Sequence, residues 1–414
     1  MQISGMSGNE IYCLSQKGFE PDEIVIGNSV FSLGVGGWLS SIGGNLAGGE
    51  VTAITSLISE GRHAAIHRMQ EEAKKHGVVG VTGVTSEVRS LAGYTEFLAQ
   101  GTGVRHAKGS PFFTTSASGI DLYCHLDAGY APIRFVMGNI AYSLGIGRGL
   151  TSSLRQLKRG VVTEFSQMYN EIRHTALTRI RQEAAAAGGN AVVDLSLSTL
   201  FHASTGTHEL IIIGTAASHP KLPPSRQDPD LVVTSELTGE ELWNTAKMGY
   251  APVSLVTATS IYSLGVVGSI GAMFKSMSRG ELPEVTSLVY DAREHCLDEL
   301  RREATRFGAE RVIGNNLIIH ELQPGLLEIF AIGTAIKKMA GIEPETPALI
   351  PQAVITDRET LTGMGSGVAS TGEKTATRAV SGGANVNPLG CLFGLGCTGL
   401  ITIIGILIAL FGHH

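Results

Sequence analysis

The sequence lacks the motifs by which common enzymes are recognised. It has no nucleophile elbow, no H-E-x-x-H motif and no G-x-x-x-x-G-K-[ST] phosphate-binding motif, and no Ser/His/Asp or Cys/His set recurs along it. We therefore predict a protein that is not an enzyme. It also has few cysteines and no C-x-x-C pair. We therefore expect no disulfide framework, and we expect the protein to reside in a reducing compartment. The cysteines are Cys13, Cys124, Cys296, Cys391 and Cys397.

Basic runs and a leader segment are missing as well. The net charge is -6, and no cluster of Lys or Arg forms the electrostatic footprint that nucleic-acid binding requires. Residues 1–10 have neither the basic start nor the apolar core of a signal peptide. We therefore expect no nucleic-acid partner, and we expect the folded part of the chain in the cytoplasm.

What the sequence does contain is an internal triplication. Two offsets, 111 and 120 residues, relate a series of landmarks along the chain. They connect Arg62, Arg173 and Arg293, and also Glu72, Glu183 and Glu303. The offsets hold for the opening glycines Gly8, Gly119 and Gly239 as well, and each copy closes on a Gly-Thr pair. We predict three domains, at residues 7–107, 118–218 and 235–342.

Each copy is predicted to be a small α+β unit of the order helix, strand, glycine-rich loop, long helix, strand, strand, in the manner of an α/β sandwich. The copies open on predicted capping boxes, which pair Ser7 with Glu10, Ser118 with Asp121 and Thr238 with Glu241. The long helix carries one apolar stripe, in the first copy Ile54, Ile58, Ala65, Met69 and Ala73. The last two segments alternate between apolar and polar residues, which indicates a hairpin.

The end of the chain is different in character. Residues 343–388 have no apolar periodicity and are dominated by small and polar residues further along, which predicts a flexible linker. An uncharged segment then begins at Leu389 and ends at Phe411. As a helix rising about 1.5 Å per residue, it is long enough to cross a hydrocarbon core of about 30 Å. We predict a single transmembrane helix here, in contact with membrane lipid.

With these landmarks in place, the units resemble a known family, the YbjQ-like heavy-metal-binding domain family. The resemblance rests on the order of helix, Val-rich strand and closing Gly-Thr, and it covers most of residues 7–340. The helix landmarks in the first copy are Arg62, Ala65, Met69, Ala73 and Gly77. The resemblance implies small α+β domains that assemble into five-fold rings, and it assigns no metal ligands. The added N-terminal helix and the three units per chain depart from the single-domain pattern.

Three histidines are the candidate metal ligands. His63 and His67 are four residues apart and so share one side of the long helix, where two imidazoles could hold one zinc or copper ion. His174 occupies the position of His63 in the second copy. The third copy has Glu294 there, and the alternative interpretation is a solvated polar face. A divalent transition metal is the candidate cofactor.

The repeated charges on the long helices suggest an interface. Arg62 lies at the edge of the apolar stripe and Glu72 within it, and both recur in every copy. A charge directed toward a core needs a partner, and residues ten apart on a helix do not pair with each other. We predict that Arg62, Arg173, Arg293, Glu72, Glu183 and Glu303 contact backbone groups, another domain or a neighbouring chain.

Three hypotheses for function follow. The first is a non-enzymatic, membrane-tethered homo-oligomeric ring or scaffold, anchored by one tail helix per chain. The second is a metal-binding or metal-sensing protein that uses the three histidines. The third is an oligomeric membrane pore formed by bundled tails, although Thr398 and Thr402 are the only hydroxyl-bearing residues in the predicted helix.

Overall fold

A computed structural model describes residues 3–32, 49–91, 94–143, 160–202, 207–263, 283–323 and 326–349. The predicted transmembrane helix at residues 389–411 lies outside the described residues, as does the predicted linker from residue 350 onward. The glycine-rich loop of the first copy, residues 33–48, lies outside them too. Within the described part of the chain, no helix combines the length and the apolar character needed to cross a membrane.

The described residues form three α+β units in which the predicted order of elements recurs. The first unit contains α1 Gly8–Gln16, β1 Phe19–Phe31, β2 Gly49–Glu50, α2 Thr52–Lys75, β3 Gly80–Leu91 and β4 Tyr94–His106. The second contains β5 Phe113–Thr114, α3 Gly119–Asp127, β6 Ala131–Ser143, β7 Gly160–Val161, α4 Thr163–Ala186, β8 Ala191–His202 and β9 Thr207–Ser218. The third contains β10 Val233–Thr234, α5 Gly239–Lys247, β11 Tyr250–Ser263, α6 Pro283–Arg306, β12 Arg311–Gln323 and β13 Leu326–Lys338.

Each unit is built on three antiparallel strands with the last strand in the middle. The orders are β1-β4-β3, β6-β9-β8 and β11-β13-β12. The predicted hairpin at the end of each unit is confirmed, because β3 pairs with β4, β8 with β9 and β12 with β13. The long helix crosses one face of this sheet. Its predicted apolar stripe is confirmed in the first unit, where all five residues are buried.

Glycine in the first strand lets the long helix approach the second unit's sheet closely. A Cβ at Gly138 would lie 2.1 Å from the main-chain oxygen of Ala176 in α4, a distance that no carbon atom tolerates. Gly27 meets α2 in the same way, with 2.1 Å to the oxygen of Ala65. The third unit has Ala258 at this position, so α6 accommodates one more carbon atom there.

The short helices begin as predicted in two units of three. Ser7 with Glu10 and Thr238 with Glu241 form complete capping boxes. The predicted box of Ser118 and Asp121 is wrong in one half, because Asp121 does not reach back to the Ser118 amide. Aspartate is one methylene shorter than glutamate, so its carboxylate reaches the Ser118 hydroxyl but not the Ser118 amide. Its Oδ1 accepts the amide of Gly239 at the start of α5 at 2.9 Å, as Glu10 Oε1 accepts the amide of Gly119 at 3.3 Å. Asp121 therefore links two units.

Short strands tie neighbouring units together. β5 and β10, which precede α3 and α5, run parallel to β3 and β8 of the preceding unit. In the other direction, β2 of the first unit pairs with β6 of the second, and β7 of the second unit pairs with β11 of the third. Each sheet is thus completed by segments from its neighbours.

The close helix contact leads to a stability prediction. We expect Gly138→Ala to destabilise the protein by about 1–3 kcal/mol, because α4 must move away from the strand to admit the methyl group. Chemical denaturation followed by circular dichroism measures this. Gly8→Ala is the matched control, since a Cβ at Gly8 meets nothing within 4 Å. Equal stability losses in the two variants would contradict the explanation.

Candidate functional site

The structural feature that recurs between units is a joint in which the long helix of one unit covers the sheet of the next. α2 contacts β6 of the second unit, and α4 contacts β11 of the third. At the first joint Ile54 and Ile58 of α2 share one hydrophobic core with Phe135, Met137 and Ile211 of the second unit. The sheets of the second and third units are therefore covered on one face by their own helix and on the other by the helix of the preceding unit.

A strand contact accompanies each helix. The residue that precedes the long helix donates its amide to the edge of the next sheet, from Val51 to the Ala141 oxygen at 2.8 Å and from Val162 to the Ile261 oxygen at 2.7 Å. Both acceptors lie near the end of the first strand of their unit. The two joints therefore use the same edge of the sheet and the same register.

The first joint contains a fully buried ion pair. Arg62 of α2 donates from Nε to Glu209 Oε1 at 3.0 Å and from Nη2 to Oε2 at 2.9 Å, the two-pronged geometry that arginine forms best with a carboxylate. Its Nη1 donates to the Ser86 oxygen atoms at 3.0 Å. Asn139 and His202 add hydrogen bonds to the Glu209 carboxylate at 3.3 and 2.9 Å.

These contacts keep Glu209 ionised in a buried position. Burial by itself raises the pKa of a carboxyl group, but the Arg62 guanidinium and His202 outweigh it and hold the pKa of Glu209 at about 2. A depressed pKa means that the stabilisation is present above the unfolded value of about 4.5 and is lost as the pH falls toward 2. The first joint is therefore charged at any physiological pH.

The second joint repeats this pair with different surroundings. Arg173 of α4 donates from Nη2 to Glu328 Oε1 at 2.6 Å. Its Nη1 donates to the Thr259 hydroxyl, and its guanidinium lies 4.0 Å from the centre of the Phe330 ring. Thr259 occupies the place of Asn139. The arginine, the glutamate and a polar residue on the first strand are thus common to both joints.

The repeated glutamates of the long helices, Glu72, Glu183 and Glu303, bind the first strand of their own unit, and two of them also contact the preceding unit. Each accepts a main-chain amide of its own first strand, from Ile26 at 2.5 Å, Met137 at 3.0 Å and Thr257 at 2.8 Å. In the second and third units the other carboxylate oxygen lies near a histidine of the preceding unit. Glu183 Oε1 is 2.6 Å from His63 Nε2, and Glu303 Oε1 is 3.7 Å from His174 Nε2.

The two histidine contacts differ in charge. The hydrogen bond to Glu183 raises the pKa of His63. Burial lowers the pKa of His174, with further lowering by the positive charges of Arg181 and Arg306. Burial also raises the pKa of Glu303 to about 7. The first histidine contact is therefore favoured as an ion pair, whereas at the second the charged form of His174 is disfavoured and Glu303 is about half ionised near pH 7.

The three predicted metal ligands do not all lie together. His63 and His174 lie at different joints, and His67 is exposed on α2. Within the described ranges, no three His, Cys, Asp or Glu side chains come close enough together to hold a metal ion. A cavity of about 450 Å³ at the first joint is an open polar groove whose lining includes His63, Glu50 and Arg179.

Of the residues predicted to form interfaces, Arg62 and Arg173 lie in the joints and Arg293 is exposed on α6. Their carboxylate partners, Glu209 and Glu328, were not identified from the sequence. The signal was nevertheless available, because each lies five residues before the closing Gly-Thr of its unit. At the same place the first unit has Glu96.

The repeated unit matches one protein family three times. The YbjQ family model, whose description is "Putative heavy-metal-binding", matches residues 17–107, 130–219 and 241–339. The chain belongs to this family. The matched ranges include the first strand, the long helix and the terminal hairpin of every unit.

Relatives of this chain differ in how many of its units they match. A Mycobacterium tuberculosis protein named encapsulin nanocompartment protein Rv1762c is 28% identical over 227 residues, which is 54% of this chain and 85% of that protein. UPF0145 proteins from Methanoregula boonei and Thermosipho africanus are 38% and 41% identical over 84 and 86 residues. Those matches cover 20% of this chain and 69% and 80% of the two relatives. Each UPF0145 match therefore has the length of about one unit, and the match to the M. tuberculosis protein has the length of about two.

The buried pair of the first joint leads to a prediction. We expect Arg62→Ala to destabilise the protein by about 3–5 kcal/mol, because Glu209 is left buried without its arginine. Amide exchange in β6 and chemical denaturation measure the loss. Arg89→Ala is the control, because Arg89 forms an exposed pair with Glu87 and should cost less than about 1 kcal/mol. If Arg62→Ala costs no more than this control, Arg62 does not hold the joint.

The second joint leads to a pH prediction. The pKa of Glu303 is raised from 4.5 to about 7, so its contribution to stability is full below pH 4.5 and is lost as the pH rises through 7. We expect Glu303→Gln to stabilise the protein at pH 8, by at most about 3 kcal/mol, and to change little at pH 5. Thermal unfolding at both pH values measures this, with the more exposed Glu299→Gln as control. An equal effect at both pH values would argue against the assignment.

Proposed function

We propose that the chain is a non-enzymatic building block of a membrane-tethered homo-oligomer. The observation that carries the proposal is the repeated joint, in which one unit supplies a helix, a strand edge and an arginine, and the next supplies a sheet face and a glutamate. An interface of this kind is heterologous: each unit has a donor side and a different acceptor side. Such interfaces generate rings or filaments when they continue.

The relatives support an assembly role. The M. tuberculosis relative is named as a nanocompartment protein, and the similarity covers 85% of its length. At both joints a buried arginine binds a glutamate of the next unit, and paired strands accompany it, so the polar groups of the joints hold surfaces together. We infer a structural role for the units.

The membrane tether is proposed from the uncharged segment at residues 389–411. In an oligomer each chain contributes one such helix, and several helices held by one assembly bind a bilayer far more tightly than one helix alone. We propose that the folded units lie on the cytoplasmic side. The free, buried thiols of Cys13, Cys124 and Cys296 support a reducing environment.

The contacts of His63 favour assembly over metal binding as the role of the histidines. Its Nδ1 lies 2.7 Å from the Ser59 oxygen and its Nε2 lies 2.6 Å from Glu183, so both ring nitrogens are engaged within the joint. A metal ion would have to displace one of these contacts. A zinc or copper site at His63 and His67 is therefore the alternative that the experiment must be able to detect.

The experiment measures the mass of the full chain in detergent, first with a chelator and then with zinc or copper added. We expect a defined oligomer that is unchanged by the chelator and by His63→Ala with His67→Ala. A monomer, or an oligomer that forms only with stoichiometric metal and is lost in the histidine variant, would overturn the proposal in favour of metal handling.

Membrane attachment is tested separately with Ile404→Arg and Leu407→Arg in the full chain. An arginine costs about 2.5–3.5 kcal/mol of insertion free energy at the centre of a spanning helix and less toward its ends, so the variant with both arginines should be released from membranes by an alkaline wash that retains the wild type. Ile404→Leu with Leu407→Ile is the matched control and should stay bound. Wild-type chain found entirely in the wash would refute the tether and leave the oligomer untouched.

A further inference from the structure

The outer face of the first unit's sheet is uncovered. In β1 the side chains of Ile26 and Val30 are 50% and 48% exposed, whereas the equivalent Met137 and Ala141 of the second unit are 2% and 0% exposed. The difference arises because α2 covers the second unit's sheet, and among the described residues no helix covers the same face of the first. The uncovered face of the first unit thus carries apolar side chains at the same positions as the covered face of the second unit.

The polar centre of a joint is already assembled on that face. Asn28 Nδ2 donates to Glu96 Oε1 at 3.2 Å, as Asn139 donates to Glu209 at 3.3 Å. In the second unit Arg62 completes the arrangement. In the first unit no ion pair to Glu96 is present within the described ranges.

The edge of β1 has no neighbouring strand among the described residues, although Ile24 donates its amide to the Ile3 oxygen at 3.3 Å. In the second and third units the corresponding edge pairs with β2 and β7 from the preceding unit. The first sheet has the order β1-β4-β3-β5, so β1 is its outermost strand in the described part of the chain. A sheet edge without a neighbouring strand is a site for strand addition.

The complementary surface lies on α6 of the third unit. Arg293 is exposed and has no hydrogen-bond or ion-pair partner among the residues described, although Arg62 and Arg173 at the same helix position are buried and paired. Tyr290, one turn earlier, is 60% exposed. Its counterpart in α4, Asn170, donates to the Thr259 oxygen of the next unit at 3.3 Å.

We propose that a second copy of this chain joins these two surfaces. The third unit of one chain docks on the first unit of the next, with Arg293 paired to Glu96 in the geometry of the two internal joints. The inference rests on the proposed oligomer and specifies how it is built. Donor and acceptor surfaces are each used once per chain, so the assembly grows head to tail until a ring closes or a filament forms.

One position distinguishes this joint from the internal ones. Where His63 and His174 face Glu183 and Glu303, the joint between chains brings Glu294 toward Glu72. Two carboxylates repel each other at neutral pH. The joint between chains is therefore weaker than the joints within a chain, which permits a reversible assembly of permanent three-unit pieces.

Charge reversal tests the joint in the full chain in detergent. We expect Arg293→Glu or Glu96→Arg alone to raise the concentration needed for half-assembly by at least about 100-fold, because like charges then meet at the centre of the interface. Mixing the two variants in equal amounts should restore assembly, since each surface then finds one of opposite charge. Combining both changes in one chain should restore it too.

The control is Arg302→Glu on the same helix, where Arg302 forms an exposed pair with Glu299, and it should leave assembly unchanged. Circular dichroism and thermal unfolding check that every variant folds. If Arg293→Glu and Glu96→Arg assemble as the wild type does, the joint is wrong while the oligomer stands. If both are monomeric and mixing does not restore assembly, these faces serve another partner and the inference is equally wrong.

Glu294→His gives a test in the opposite direction. This substitution places at the joint between chains the histidine that both internal joints contain. At pH 6, where the imidazole is largely protonated, we expect the variant to assemble at a concentration about three- to tenfold lower than the wild type requires. Glu299→His, at an exposed position of the same helix, is the matched control. Unchanged or weaker assembly of Glu294→His would show that this residue does not face Glu72 of the neighbouring chain.

Discussion

A sheet with two apolar faces and one helix of its own is the constraint on which the rest of the structure depends. Each unit covers one face of its three strands with its long helix and leaves the other in need of cover. Burying apolar area gains about 25 cal/mol for each Å², so the second face is a strong drive toward association. In the second and third units, the long helix of the preceding unit covers this second face. For this reason α2 and α4 each pack against two sheets, their own and that of the next unit. Tandem duplication thus fits a unit that cannot bury both of its faces alone.

The buried arginine and glutamate set the geometry of the joint more than its strength. Removing two charges from water costs several kcal/mol each, and their attraction repays this only in good geometry. Arg62 satisfies that condition with two parallel hydrogen bonds to Glu209 and further bonds to Ser86. A helix shifted by one turn along the sheet would leave both charges unpaired. The pair therefore excludes incorrect registers, which an apolar contact of Ile54 and Ile58 alone would permit.

Local signals in the sequence predicted the elements, and the partners depended on tertiary contacts. The capping boxes, the apolar stripe and the hairpin follow from neighbours a few residues apart, and the 111- and 120-residue offsets revealed the triplication. That Arg62 and Arg173 needed partners was also predictable, because a charge on an apolar stripe demands one. Glu209 is 147 residues from Arg62, and no local rule connects them. The helical spacing of His63 and His67 was correct, but it carried no information that the next unit places Glu183 beside only the first of them.

Differences among the three copies indicate that the joints have diverged in strength. At the first, Glu209 has its pKa held near 2 and His63 is favoured as a cation, so both contacts are ionic. At the second, Glu303 has a pKa of about 7 and the pKa of His174 is lowered, so that contact is adjustable near neutral pH. The third copy carries Glu294 where the first two carry His63 and His174, so a joint formed by its helix offers no imidazole to the glutamate of the unit it meets. A joint without that contact opens more readily than the other two. In the proposed assembly it is the joint between chains, where reversible contact is useful, whereas the two joints inside one covalent chain keep their histidines.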